Sequence, residues 1–272
     1  MMDELKQFPE ALTIAGTDSG GGAGMEADIK TMQACHTFST NVVVGVTAQN
    51  TYGVQDLYPL PQQIIDAQFA SIMADFEIRA AKTGALFDSE RVQMVVKNLK
   101  KYQIPNLVVD PVMVAKGGAK LLTDEAIQTL KTDLLPLATL VTPNLPEAEL
   151  LADQKVETQV DMLNAAKRIQ TLGCPNVIIK GGHGHEAVVY DFVKLGDDDE
   201  FWLESKRIDT IRTHGTGDTL SSAIVAYLAQ GIKLETAIHQ AHDYLATIIS
   251  QPLPIGHGHG PLNHGEWSNH EI

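Results

Sequence analysis

The chain has 272 residues, 44% hydrophobic and 20% charged, which supplies ample apolar material for the core of one large domain. Its formal net charge of −14 argues against a basic nucleic-acid-binding surface and against attraction to anionic membranes. Two cysteines are too few for a disulfide framework and are typical of a reducing compartment. With no signal-peptide pattern and no apolar run of ~18 residues, we expect a cytoplasmic protein.

Strand-like and helix-like segments alternate along the chain. The apolar run at residues 11–16 precedes a helical pattern, and the β-branched run at 41–48, apolar on both faces, predicts a buried parallel strand. Later strand patterns lie at 78–84, 106–112, 138–144 and 176–182, and helix patterns at 62–76, 89–101, 145–152 and 160–172. This β-α-β-α order predicts one doubly wound α/β domain spanning residues 1–272.

Two segments depart from the alternation. Residues 186–208 carry two strand patterns around a polar turn at 196–200, which predicts an antiparallel hairpin with a solvated acidic turn. The Gly- and His-rich segment at about 252–272 is typical of a loop or tail. No cysteine or closely matched acid completes a metal site with its histidines, so we expect a structural or solvent-exposed segment.

A glycine-rich loop, GTDSGGGAGMEAD, follows the first strand and opens a helix, so backbone there can approach a ligand closely. A loose G-x-G-x-x-A dinucleotide pattern lies at Gly22, Gly24 and Ala27, but no ribose-binding acid follows ~20 residues later. No G-x-x-x-x-G-K-[ST] motif is present either. Taken alone, the loop is also compatible with a purely structural glycine turn.

The stretch THGTGDTLSSAI at 213–224 carries more information. Gly215, Thr216 and Gly217 precede an apolar helix, so their N–H groups would form an anion cradle reinforced by the helix dipole. Asp218 is either an acid stabilising a helix start by up to about 1 kcal/mol or a general base. A base there would take a proton from an alcohol while the cradle neutralises charge on an arriving phosphoryl group.

Several long motifs occur in one order along nearly the whole chain: ALTIAGTDSGGGAG, TAQNTYGVQ, VVDPVMVAKGG, LLPLATLVTPNLPEAELL, VIIKGGH, THGTGDTLSSAI and GHGPLNH. Together they resemble the bacterial hydroxymethylpyrimidine/phosphomethylpyrimidine kinases of the ribokinase superfamily. The resemblance implies a ribokinase-like three-layer α/β/α sandwich with a mostly parallel sheet. It also implies phosphorylation of 4-amino-5-hydroxymethyl-2-methylpyrimidine and then of its monophosphate, with ATP and Mg²⁺, by a homodimer.

The resemblance also assigns pocket residues. Gly16, Ala23, Asp28 and Gln49 correspond to positions of the pyrimidine pocket. A side-chain amide such as Gln49 both donates and accepts hydrogen bonds, as an aminopyrimidine edge requires. Taken alone, Gln49 would more simply be a hydrogen-bonded core amide.

Another set of residues is assigned to the metal ion and the nucleotide. Asp110 and Glu147 correspond to acids that hold Mg²⁺, partly through water, because this ion prefers oxygen ligands and keeps waters. Asn144 belongs to the same N-x-x-E element, and Lys180 corresponds to a cation that contacts the ATP phosphates. Phosphoryl transfer depends mainly on positioning and charge neutralisation, so these groups suffice without a covalent intermediate.

Two positions depart from the family pattern. The family usually has Cys where this chain has Asp218, although the wider superfamily has Asp, which is ionised at neutral pH as a base requires. The family's KIGML is KTGAL here, and Ala85 replaces a larger Met of the substrate pocket, so we expect a roomier pocket. Pyridoxal kinases share the fold and phosphorylate a hydroxymethyl group on a six-membered heterocycle, so a pyridoxal kinase is the alternative. TAQNTYGV and GHGPLNH resemble the pyrimidine enzymes more closely.

Two other classes fit the sequence less well. A nicotinamide-dependent oxidoreductase would need a ribose-binding acid after the first glycine loop. A non-catalytic nucleotide sensor would have no need of Asp218 beside an anion cradle.

Overall fold

The computed structural model describes residues 8–113, 122–182 and 187–265. Its strands are β1 (Glu10–Gly16), β2 (Phe38–Asn50), β3 (Gly53–Pro59), β4 (Ala80–Thr83), β5 (Leu107–Val109), β6 (Leu140–Val141), β7 (Asn176–Ile179), β8 (Val188–Leu195) and β9 (Asp199–Lys206). Its helices are α1 (Gly24–Ala34), α2 (Gln62–Met73), α3 (Ser89–Tyr102), α4 (Asp124–Thr129), α5 (Leu145–Ala152), α6 (Gln159–Gln170), α7 (Thr216–Ala229) and α8 (Leu234–Ile249). A π turn (Leu130–Leu134) and a 3-10 turn (Leu135–Leu137) continue α4. The ends of two quoted motifs, residues 114–118 and 183, and tail residues 266–272 lie outside the described residues.

The strands form one sheet in the order β3-β2-β1-β4-β5-β6-β7-β8-β9. Six neighbouring strands, from β2 to β7 in this order, run parallel, whereas β3, β8 and β9 pair antiparallel. The predicted hairpin within residues 186–208 is confirmed as β8 and β9. The mostly parallel sheet predicted from the alternation is confirmed as well.

Helices cover both faces of this sheet. Alternate residues of each central strand belong to different cores: Val109 packs under α2 to α6, and Val108 packs under α1, α7 and α8. α7 is buried almost all round because it lies between the sheet and its neighbouring helices, which explains its nearly continuous apolar sequence. The three-layer α/β/α sandwich is therefore confirmed.

Three elements differ from the sequence predictions. β2 is longer than predicted, and it is not buried throughout: its far half pairs with β3, and Val46 there is 45% exposed. Neither β3 nor α8 was predicted. β3 has only half-buried and exposed residues, so it lacks the apolar alternation of a core strand.

The segment after α8 packs back onto the molecule. Leu262 and His264 are buried, and the N–H groups of Gly258 and His259 donate hydrogen bonds to Thr51. Of the predicted structural or solvent-exposed tail, the end of the described part thus packs on the molecule, whereas Ile255 before it is 53% exposed. None of the helices in the described ranges is long and apolar enough to cross a membrane.

Candidate active site

A cavity of about 330 Å³ opens at the edge of the sheet where the carboxyl ends of β1, β5, β6 and β7 meet. Ligands of open α/β sheets bind outside the carboxyl ends of the strands. All the predicted site residues except Asp28 line this cavity: Gly16, Ala23, Gln49, Ala85, Asp110, Asn144, Glu147, Lys180, Gly215, Thr216, Gly217 and Asp218.

Asp28 lies beneath the cavity rather than in its wall. Its carboxylate is fully buried and accepts hydrogen bonds from Thr13 Oγ1 (2.5 Å), Lys82 Nζ (2.6 Å) and Ser222 Oγ (2.7 Å). The reason is helical periodicity, since residues 27, 28 and 31 form the face of α1 that packs inward. In this structure the side chain of Asp28 therefore faces the protein core and not the substrate cavity, contrary to its predicted place as a pocket residue.

The acid cluster of the cavity centres on Lys180. Its Nζ lies 3.1 Å from Asp110 Oδ1, and Ser221 Oγ lies 3.3 Å from Asp110 Oδ2. Glu147 and Asn144 form a capping box at the start of α5, so each fixes the other. Burial raises the pKa of Glu147, an effect that Lys180 opposes and Asp110 strengthens. Burial by itself would lower the pKa of the Lys180 ammonium. The carboxylates of Asp110 and Glu147 have the larger, opposite effect, so the pKa of Lys180 is raised.

These acids suit a hard divalent cation that is also held by phosphate. The carboxyl groups of Asp110 and Glu147 offer only oxygen atoms as ligands, as Mg²⁺ prefers. Among the residues that the structure describes, no group of three or more His, Cys, Asp or Glu side chains could enclose a metal ion. Mg²⁺ commonly binds through one or two carboxylates, waters and substrate phosphates, so Asp110 and Glu147 fit it.

The anion cradle is built by two loops in contact. Gly215 has a φ of +82°, and a Cβ there would lie 2.0 Å from the carbonyl oxygen of Gly22, so only glycine fits. Helix α7 starts at Thr216, and the first N–H groups of a helix have no partner within it. Asp218 lies in the first turn with a side chain 13% exposed, beside these N–H groups. The predicted base and anion cradle therefore lie within one helical turn.

Sequence reasoning missed the pair formed by Asp18 and His214. Asp18 accepts hydrogen bonds from the N–H groups of Gly20, Gly22 and Ala23, and its Oδ2 lies 2.9 Å from His214 Nε2. Burial by itself would raise the pKa of Asp18. The hydrogen bonds from His214 and from the N–H groups have the larger, opposite effect, so the pKa of Asp18 is lowered. An acid two residues before glycine is a known signal for such a turn, and it could have identified Asp18.

This pair leaves the amide of Gln49 available to a ligand. His214 Nε2 also lies 3.1 Å from Gln49 Nε2, but an amide nitrogen only donates, so a ring N–H at Nε2 forms no hydrogen bond with it. The shorter, charge-assisted contact with Asp18 uses that proton. Thr47 Oγ1 is 3.4 Å from Gln49 Oε1 and already donates to the carbonyl oxygen of Thr17 at 2.7 Å. The amide of Gln49 can therefore donate to and accept from an aminopyrimidine edge.

Phe87 forms an aromatic wall in the same cavity as Ala85. It is 5% exposed and has a φ of +70°, which is strained for a bulky residue. A Cβ on Gly16 or Gly45 would lie 2.1 or 2.5 Å from its ring atoms, so both glycines make room for the ring. The width of the cavity therefore depends on Phe87 as well as on Ala85, which sequence reasoning did not foresee.

A second cavity, of about 410 Å³, adjoins the first. The two share Asn144, Lys180, Thr213, Thr216 and Gly217. The rest of its lining comes from α8, the end of β9 and the residues after β9, and includes Leu245, Ile249 and Ile208. Two ligands bound in these cavities would thus meet at Lys180 and the anion cradle.

Comparison with known proteins agrees with this geometry. The family model for phosphomethylpyrimidine kinase matches residues 18–263. The chain is 46% identical over 267 residues to a hydroxymethylpyrimidine/phosphomethylpyrimidine kinase of Haemophilus influenzae, covering 97% of this chain and 99% of that protein.

Solved structures show the same architecture. A Bacillus subtilis pyridoxal kinase in complex with ADP superposes with a TM-score of 0.88 at 37% identity, over 95% of this chain and 98% of the other. A phosphomethylpyrimidine kinase of Clostridium difficile has a TM-score of 0.79 at 39% identity, over 88% and 99%. The two adjoining cavities and the extent of these matches lead to one conclusion: the chain belongs to the phosphomethylpyrimidine kinase family.

Proposed function

We propose that this kinase phosphorylates 4-amino-5-hydroxymethyl-2-methylpyrimidine and then its monophosphate, using ATP and giving the diphosphate for thiamine synthesis. The observation that carries the proposal is the first cavity. It holds an amide suited to an aminopyrimidine edge, Gln49, together with an acid beside an anion cradle, Asp218. The second cavity takes the nucleotide, because it shares Lys180, Thr216 and Gly217 with the first cavity but is not lined by Gln49 or Asp218.

In the first transfer, Asp218 takes the proton of the substrate hydroxyl while the hydroxyl oxygen attacks the γ-phosphorus of ATP. The bond from that phosphorus to the bridging oxygen breaks, and ADP leaves. The N–H groups at the start of α7 and the ammonium of Lys180 neutralise charge on the transferred group. Asp110 and Glu147 would hold Mg²⁺, which when bound neutralises charge on the phosphate oxygens.

The second transfer makes a different demand on Asp218. A phosphate monoester is largely ionised at neutral pH because its second pKa is about 6. Its attacking oxygen therefore carries no proton to remove, and a general base is dispensable. Asp218→Asn should lower kcat for the hydroxymethyl substrate by ~10²–10⁴-fold, with a much smaller loss for the monophosphate.

The test is ADP release with three acceptors: the hydroxymethylpyrimidine, its monophosphate and pyridoxal. We expect both pyrimidines to give higher kcat/KM than pyridoxal. Glu235→Gln is a matched control for Asp218→Asn, because Glu235 is also an acid in the first turn of a helix but lies outside both cavities. The pyrimidine assignment fails if pyridoxal is the preferred acceptor. The role of Asp218 fails if Asp218→Asn behaves like Glu235→Gln.

A homodimer forms part of this proposal. Val46 of β2 and Tyr58 of β3 are paired in register, so they share a face, and they are 45% and 67% exposed. Paired apolar residues on an exposed hairpin suit a protein interface. Light scattering should give twice the chain mass, and Tyr58→Lys should shift the protein towards monomer. A monomeric wild-type protein would contradict the dimer.

We further propose that the 272 residues act as one kinase domain in the cytoplasm. Cys35 and Cys174 are unpaired and buried, which suits a reducing compartment. Cell fractionation with an antibody against the protein tests this location.

A further inference from the structure

An ion pair without solvent contact lies directly beneath the substrate cavity. Lys82 of β4 and Asp28 of α1 have fully buried side chains, and Lys82 Nζ is 2.6 Å from Asp28 Oδ1. Thr13 and Ser222 also donate to Asp28, so β1, α1, β4 and α7 all contribute to this cluster. On its other side, Lys82 Nζ lies 3.5 Å from Asp218 Oδ1.

A contribution to the stability of the fold does not explain why this buried ion pair is present. Removing two charges from water costs several kcal/mol per ion, and apolar replacements of buried ion pairs are often neutral or stabilising. Burial opposes the charge of Lys82, but Asp28 and Asp218 outweigh it and raise the pKa of this ammonium. A permanent cation is thus held beside the residue to which we assign the base.

We propose that Lys82, anchored by Asp28, is a positioning residue that holds the Asp218 carboxylate in the orientation needed to meet the substrate hydroxyl. This inference rests on the proposed role of Asp218. The ammonium also balances the negative charge that Asp218 adds to a site already containing Asp110 and Glu147. A thiol at position 218 would bring no such charge, so the arrangement suits the acid of this chain.

Asp28 directs Lys82 towards Asp218. Thr13 and Ser222 hold the Asp28 carboxylate from two other elements, so it offers Lys82 Nζ a fixed acceptor. The ammonium has three donors, and besides Asp28 it also contacts Asp218. The same geometry explains why Asp28 lies below the cavity yet still bears on the reaction.

The test uses the double variant Lys82→Met/Asp28→Asn, which removes both charges and leaves no buried ion unpaired. We expect it to fold, to keep KM for ATP within about twofold, and to lose ~10–100-fold in kcat for the hydroxymethyl substrate, as misplacement of a reacting group by about 1 Å can. Lys131→Met is the matched control. Lys131 is also a buried lysine, with Nζ 2.9 Å from Asp153, but it lines neither cavity, so kcat should not change.

A mutant cycle separates positioning from general structural damage. In an Asp218→Asn background, the double change should cause no further loss of kcat, because the carboxylate that Lys82 positions is already gone. Losses that multiply, or an unchanged kcat in the double variant, overturn the inference. If Asp218→Asn itself leaves kcat unchanged, the proposed function of Asp218 fails first, and the two failures are distinguishable.

Asp28→Asn alone is a second variant, in which the asparagine oxygen can still accept from the Lys82 ammonium. It keeps the Lys82 ammonium next to Asp218 and conserves the shape of residue 28. We expect it to lose clearly less kcat than the double variant. A loss as large as that of Asp218→Asn would mean that the cluster acts as a structural unit, and the positioning role would be wrong.

Discussion

Protonation of His264 should weaken the fold in mild acid. Its side chain is 6% exposed, and its Nε2 lies 2.9 Å from Thr219 Oγ1 of α7. Burial, together with the positive charge of Lys30, lowers the pKa of His264 from 6.5 to about 4. The unfolded chain therefore takes up this proton near pH 6.5 and the folded protein only near pH 4. This contribution to stability is complete above pH 6.5 and is lost as the pH falls, by about 2 kcal/mol at pH 5 and at most about 3 kcal/mol.

Urea unfolding of the wild type and His264→Gln at pH 8 and pH 5 measures this effect. Glutamine keeps a polar group that can reach Thr219 but does not titrate. Burial raises the pKa of Asp28 and of Glu147, which changes stability in the opposite direction, so only the difference between the two proteins is informative. Between these pH values the variant should lose about 2 kcal/mol less than the wild type. Equal losses would refute the reasoning, since His264 would then titrate alike in both states.

Three further outcomes follow from the cavities. Glu147→Gln and Lys180→Gln should each raise the Mg²⁺ or ATP concentration needed for half-maximal rate by roughly tenfold or more, because hydrogen bonds to charged groups contribute about 1.5–3 kcal/mol. Unchanged Mg²⁺ and ATP titrations would contradict the assignment of these two residues. Gln49→Leu should cost ~1–3 kcal/mol in kcat/KM for the pyrimidine and less for pyridoxal, and equal losses would remove its role in recognition. Phe87→Ala should raise the pyridoxal-to-pyrimidine ratio of kcat/KM, whereas Ala85→Met should lower it by overpacking worth ~1–3 kcal/mol; if neither moves the ratio, these residues do not set the cavity width.

The sequence predicted the elements whose pattern reflects the core. Residues 106–112 and 176–182 were identifiable because both faces of β5 and β7 are buried. α8 was missed although Ala237, Ile238, Ala241 and Ile248 repeat at helical spacing, so its signal was present. β3 was missed for a physical reason, because a strand that has only half-buried and exposed residues lacks the clear hydrophobic alternation of a core strand.

In the site, the motifs predicted which residues lie close together but not the direction in which each side chain points. Asp28 sits in the expected loop-helix motif, yet its position on α1 turns the side chain towards Lys82 and away from the cavity. Contacts between distant parts of the chain were beyond prediction. Asp18 and His214 are 196 residues apart, and nothing local to either residue encodes their pairing.

The segment after α8 determines the stage of synthesis at which some contacts of the first glycine loop can form. Pro261 packs close to Gly22 of the first glycine loop, and Gly258 and His259 are bonded to Thr51. A ribosome that has completed α8 has synthesised every residue assigned to chemistry, but not the stretch that covers the loop. The nascent chain therefore cannot make the contact between Pro261 and Gly22 until translation has passed Pro261.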